Sequence, residues 1–174
     1  MPRKKLIPDL AVFAAIRQLL AQGGEKSVSF STVAQATGLA PPTLVQRFGS
    51  RDAMLQHALS AAWTELEATT RAAEEQAPLN AKGAQAFLKA LGADAPETAD
   101  LTLLAADFRD PLLRARAEAW RAQVESALAL RLGGGAKGRE TAALLFAAWQ
   151  GQLLWQTAGG KGFRLKDALK RLTD

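Results

Sequence analysis

Thr43, Gln46, Arg47 and Arg51 lie close together in the chain and carry the side chains best suited to gripping a nucleic acid. An amide pairs with the edge of adenine, a guanidinium with guanine or phosphate, and a hydroxyl with either. Pro41 and Pro42 precede them and cannot donate hydrogen bonds, so base or phosphate contacts by hydrogen bonding fall to Thr43, Gln46 and Arg47. Spacing alone leaves open which of these reads a base; Arg47, close to a helix end, also suits a phosphate. Thr32 joins the set where helix amide hydrogens favour anions. Lys4 and Lys5, beside Arg3, form a basic arm that suits the same partner.

The net charge of +5, from 22 Lys+Arg against 17 Asp+Glu, favours a polyanion. Catalytic chemistry has little to work with. The chain holds one histidine, His57, no cysteine and no tyrosine, and no carboxylate pair at ligand spacing beside the histidine. The glycine-rich stretches at 133–135 and 159–162 lack the Lys-Ser or Lys-Thr of a phosphate loop. We therefore expect no enzyme, no metal and no cofactor. Without an apolar run approaching ~20 residues, the chain is expected to lack a membrane span and to work in the cytoplasm.

The elements that position these residues begin at Ser29 and run to Leu55, where the sequence predicts two short helices, a tight turn and the start of a third helix. Val28, Val33, Ala34, Ala36, Leu39, Leu44 and Phe48 supply its apolar set. Ser29 suits the N-cap of the first helix, with Val28 and Val33 at the two ends of a hydrophobic staple. Gly38 suits the sharp reversal, since it takes positive φ at no steric cost. Pro41 and Pro42 fit a first helical turn, and Ser50 can cap the third helix with Asp52 near its positive end. This is a helix-turn-helix, whose second helix enters the major groove of DNA.

Val33-Ala34-Gln35-Ala36-Thr37-Gly38-Leu39, Thr43-Leu44-Val45-Gln46-Arg47-Phe48 and Arg51-Asp52-Ala53-Met54-Leu55 resemble the corresponding motif of TetR-family transcriptional repressors. Val45 stands where that family usually has Tyr, and Ala40 where a polar cap is common. The resemblance implies that Arg51 occupies a phosphate-contacting position. It also implies an effector pocket among the downstream helices.

In chain order, a first helix opens at Pro8-Asp9 and runs to about Ala21, with Val12, Ile16, Leu19 and Leu20 inward. The third helix of the motif continues past Leu55 through Leu59, Ala62, Trp63 and Leu66, and Pro78 sets its latest end. Helices are also expected from about Ala81, with Ala84, Phe87, Leu88 and Leu91 inward, and from about Glu97 to Phe108. Asp110-Pro111 reads as a cap and first-turn proline for a long helix to about Leu132, seamed by Leu113, Ala117, Trp120, Val124 and Leu128. After 133–135, a helix over about Arg139 to Ala158 is apolar around most of its circumference and needs neighbours on two sides. A short amphipathic tail helix with Leu165, Ala168, Leu169 and Leu172 ends the chain.

The fold class is all-α, with a DNA-binding helix-turn-helix domain over 1–54 and a larger helical effector-binding and dimerisation domain over 55–174. The DNA-binding set is Lys4, Lys5, Thr32, Pro41, Pro42, Thr43, Val45, Gln46, Arg47 and Arg51. The expected effector site comprises Trp63, Phe87, Leu104, Asp107, Phe108 and Trp120, and favours a hydrophobic small molecule, neutral or weakly cationic. Trp149, Gly151, Leu153 and Trp155 are expected at a homodimer seam, because Gly151 interrupts an otherwise strongly helical apolar stretch. The resulting reading is a ligand-responsive homodimeric repressor on a palindromic operator. The alternative, motivated by Val45 and Ala40, is an interaction module of the same fold without sequence-specific DNA binding.

Overall fold

The computed structural model describes residues 7–92, 108–159 and 162–173, and among them the chain is helical, without strands. The first helix, α1 (Asp9–Gly23), buries Val12, Ile16 and Leu20 at successive i, i+4 steps. A 3-10 turn (Glu25–Ser27) leads to α2 (Phe30–Thr37). Ser29 caps α2 reciprocally: its hydroxyl accepts from the Thr32 amide, and the Thr32 hydroxyl accepts from the Ser29 amide. Val28 and Val33 are both buried, as the staple requires. Gly38 ends α2 at φ 72°, ψ 13°, the left-handed conformation that glycine adopts freely.

Helix α3 (Pro41–Phe48) starts on its two prolines and buries Leu44 and Phe48. Helix α4 (Arg51–Gln76), capped by the Ser50 hydroxyl on the Ala53 amide, extends for about 39 Å. It packs on α1 and α3 at one end and on the later helices at the other. Those are α5 (Ala81–Leu91), α6 (Pro111–Arg131), α7 (Gly135–Thr157) and α8 (Leu165–Thr173). Helices α6 and α7 pair most extensively, and α8 closes over α5 and α7. In α5, the backbone turn at Pro78 approaches so closely that a side-chain carbon on Gly83 would lie 1.7 Å from the Pro78 carbonyl oxygen. The position admits only glycine.

The caps and buried seams follow the sequence closely. Asp110 accepts from the amides of Leu112 and Leu113 ahead of Pro111, and Leu113, Ala117, Trp120, Val124 and Leu128 are all buried in α6. Two details differ. Ala36 is exposed, because it stands two residues, roughly 200° of helical turn, from buried Ala34. Helix α7 begins at Gly135 rather than near Arg139. There Gly138 lies where a side-chain carbon would sit 3.3 Å from the Ala129 carbonyl of α6, so close helix packing overrides the weak local propensity. The helix expected over 97–108 falls mostly outside the described residues; Phe108 itself is helical and 51% exposed.

Arg131 is a buried cation that the hydrophobic pattern conceals. Only 4% exposed, it donates to the carbonyls of Ala127, Glu74 and Ala77 and stands over the Phe87 ring, 5.4 Å from its centroid. Two of those carbonyls belong to the end of α4, where the helix dipole presents partial negative charge. The guanidinium thus fixes where α4 stops.

Candidate nucleic-acid interface and the helices behind it

The orientation of α3 follows from its two apolar anchors. Leu44 and Phe48 point into the core, with the Phe48 ring 5.9 Å from that of Phe13 and edge-on to His57 at 6.0 Å. The opposite side therefore faces outward and carries Pro41, Pro42, Val45 and Gln46, all exposed. Thr43 and Arg47 lie at the flanks, half-buried.

Arg47 is drawn toward the start of α1. Its Nη1 donates to the Ile7 carbonyl at 2.8 Å and to Asp9 Oδ1 at 3.4 Å. Arg51, the expected phosphate contact, also has internal partners. Its Nε donates to the Val28 carbonyl at 2.7 Å, its Nη2 to the Glu25 carbonyl, and its Nη1 to Asp52 at 3.0 Å. The Thr32 hydroxyl donates to the Ser27 carbonyl at 2.7 Å besides serving the capping pair. Thr32 thus fastens the turn before α2 to α2 itself, and Arg51 holds that turn against α4. Sequence reasoning missed this, since each partner is a backbone carbonyl that any residue could supply. Lys4 and Lys5 lie outside the described residues.

Behind the reader, Trp63 of α4 meets Trp120 of α6 edge-on at 6.0 Å. Trp120 in turn meets Phe146 of α7 at 5.8 Å, and Phe146 meets Trp149 at 6.0 Å. Arg121 stands over the Phe146 ring at 5.6 Å. The expected effector residues therefore divide. Trp63 and Trp120 touch, Phe87 is buried against Arg131, and Phe108 is at the surface. Leu104 and Asp107 lie outside the described residues. Phe146 and Trp149 extend the aromatic row, which the sequence reading did not anticipate because they sit on a helix apolar on several sides. A separate open cleft of about 480 Å³ lies at the end of α4, rimmed by Arg71, Glu74, Glu75, Leu79 and Leu130.

The four residues expected at a dimer seam also divide. Trp149 is 5% exposed and packs within its own chain, so it has little surface to offer a partner. Gly151 is two residues on and hence on the opposite side. A side-chain carbon there would meet nothing within 4 Å. Trp155 is 67% exposed, and Leu153 is half-buried. Leu144, Ala148, Gly151 and Trp155 follow one another at steps of four, three and four and form a stripe on the outer side of α7.

Polar contacts join α4 and the turn before α2 to the helices behind them. Gln56 Nε2 donates to Asp110 Oδ2 at 2.8 Å, and Arg109 pairs with Glu25 at 3.3 Å. Arg116 of α6 grips α4 more extensively, with both Glu67 oxygens at 2.9 and 2.8 Å, the Ser60 carbonyl and hydroxyl at 2.9 Å, and the Thr64 hydroxyl at 3.1 Å. The Arg116 hydrogen bonds hold the Glu67 carboxyl below its ordinary range, against the opposing effect of burial, and the same bonds raise Arg116.

Residues 12–58 match the family model for bacterial regulatory proteins, tetR family. No curated protein matches the chain. Among solved structures, a transcriptional regulator from Rhodococcus sp. Rha1 is 21% identical with a TM-score of 0.74, over 96% of this chain and 94% of that one. A TetR-like transcriptional regulator from Rhodococcus sp. RHA1 is 13% identical with a TM-score of 0.72, over 99% and 94% of the two chains. A transcriptional regulator from Saccharomonospora viridis, solved in complex with choline, is 16% identical with a TM-score of 0.72, over 95% and 93%. At these identities the likeness is one of fold, and it extends over almost the whole chain. Among the described residues, no helix is long and apolar enough to cross a membrane.

Proposed function

This chain is a member of the TetR family of bacterial regulatory proteins by its residues 12–58, and from that premise we propose that it is a homodimeric repressor released from a palindromic operator by a small-molecule effector. The observation that carries the reading is the outward face of α3, held by buried Leu44 and Phe48 in the second position of a helix-turn-helix. Two copies related by a two-fold axis would present two such helices to successive turns of the major groove. The basic arm with Lys4 and Lys5 would add phosphate contacts. The reader spans 1–54, and 55–174 provides the effector and dimer surfaces, with α4 crossing the boundary.

The effector is a hydrophobic molecule, neutral or weakly cationic, held against the Trp63–Trp120–Phe146 row. Aromatic faces attract cations, and the Saccharomonospora viridis regulator was solved with choline, a quaternary ammonium whose charge is permanent. Binding there would shift α4 against α6 and so change the Gln56–Asp110 contact and the pull of Arg109 on Glu25 of the reader. A tenfold change in operator affinity needs about 1.4 kcal/mol of coupling.

A second reading, an interaction module of the same fold without sequence-specific DNA binding, is favoured by Val45, Ala40 and the internal engagement of Arg47 and Arg51. Selection from random duplex DNA with the full chain separates the two. The repressor yields an enriched two-fold sequence; the interaction module yields none. Titration of choline and apolar amines by tryptophan emission, with and without that duplex, then tests the effector. Equal affinities in the two titrations overturn the inducible mechanism.

A further inference from the structure

The outward face of α3 is unusually poor in hydrogen-bonding groups. It presents Pro41, Pro42, Val45 and Gln46, and of these only Gln46 has a polar side chain. Val45 is 44% exposed, one turn beyond Pro41. Thr43 and Arg47 are each two residues from Val45 and so point to other sides, with Arg47 held by Ile7 and Asp9. The amino end of α3 is also a weak anion grip. Its first two residues lack an N–H, and the Thr43 amide bonds to the Ala40 carbonyl at 2.9 Å. A surface of this kind gains little from phosphate. In the major groove, the one apolar feature of a base edge is the C5 methyl group of thymine.

We propose that Val45 is a specificity-determining residue that packs on the C5 methyl of a thymine, with Pro41 widening the apolar contact and Gln46 supplying the polar contact to the neighbouring base pair. The inference rests on the DNA-reading function of α3 and adds to it the chemistry of the recognised base. Removing one methyl from such a contact should weaken binding about fourfold. In a two-fold site, removing both should weaken it about sixteenfold.

The test uses the full chain and the duplex enriched from random DNA, with each thymine replaced singly by deoxyuridine, which pairs identically but lacks the methyl. The expected result is one thymine per half-site at which deoxyuridine weakens binding about fourfold. Val45→Ala should abolish that penalty and bind the deoxyuridine duplex as the unaltered protein does. An enriched sequence in which every thymine tolerates deoxyuridine overturns this inference and leaves the DNA-reading function standing. A penalty that persists in Val45→Ala overturns the role of Val45. Absence of any enriched sequence overturns both readings together.

Discussion

Trp120 of α6 donates its indole N–H to the Thr70 hydroxyl of α4 at 2.8 Å, and both residues are buried. Thr70 passes the bond on by donating to the Leu66 carbonyl of its own helix at 2.7 Å. The contact is therefore a polar link across the apolar seam between the helix that carries the reader and the helix behind it. Thr70→Val keeps the shape and leaves the indole N–H without an acceptor. Such a group costs about 1 to 3 kcal/mol, so the urea midpoint should fall accordingly. Trp120→Phe removes the donor instead, and the double variant should lose less than the sum of the single losses. A Thr70→Val protein unfolding at the original midpoint would show that the bond contributes nothing.

The Arg116–Glu67 pair should give α4–α6 packing an acid-sensitive component. Hydrogen bonds from Arg116 place the folded Glu67 carboxyl below its ordinary value of 4.5. A carboxylate with a lowered folded pKa stabilises the fold fully above that ordinary value and ceases to do so as pH falls through the lowered one. The melting temperature of the native chain should therefore drop on acidification, and Glu67→Gln should flatten that acid limb while lowering the neutral plateau. Equal acid limbs for the two proteins would remove Glu67 from the balance. At neutral pH, Arg116→Ala should lose about 1.5 to 3 kcal/mol, the range for hydrogen bonds to charged groups.

What was legible in the sequence was local. Ser29, Ser50 and Asp110 cap their helices because the groups they satisfy lie two or three residues away. The seam from Leu113 to Leu128 was legible because burial repeats with the helical period. Arg131, Thr70 and Arg116 were not, because their partners stand some fifty residues away on another helix. At the reader, the type and place of α3 could be read, whereas the internal engagement of Arg47 and Arg51 depends on where the Ile7 and Val28 carbonyls come to rest. In α7, apolar residues on every side leave the two faces indistinct in the sequence, and only the packing shows that Trp149 is buried while Gly151, two residues on, borders open space.

Arg51 offers a clean separation between holding the reader together and touching DNA. Its bonds to the Val28 and Glu25 carbonyls join α4 to the turn before α2. Arg51→Ala should destabilise the protein by about 1.5 kcal/mol, toward the lower end for charged donors because the side chain is partly exposed. Each phosphate contact adds about 0.9 to the slope of log affinity against log salt. With its guanidinium engaged internally, Arg51→Ala should weaken operator binding and leave that slope unchanged. A slope shallower by about 0.9 would establish a direct phosphate contact.

The outer stripe of α7 leads to the last prediction. Leu144 and Trp155 expose 53% and 67% of their surfaces, and between them Gly151 leaves open space where a side chain would otherwise stand. Exposed apolar residues in a row, interrupted by a glycine, suit the close approach of another helix backbone. If a second copy of the chain covers the stripe, Trp155→Glu places a charge in the interface and Gly151→Leu fills the space the partner backbone needs. Both variants should sediment as monomers, retain their helical content and lose operator affinity, because a two-fold operator needs two joined readers. Trp149→Ala serves as the contrast. Its side chain packs within its own chain, so the substitution should lower monomer stability by about 3 to 5 kcal/mol. Stable dimers of Trp155→Glu and Gly151→Leu with unaltered operator affinity would place the two-fold axis on another face of the molecule.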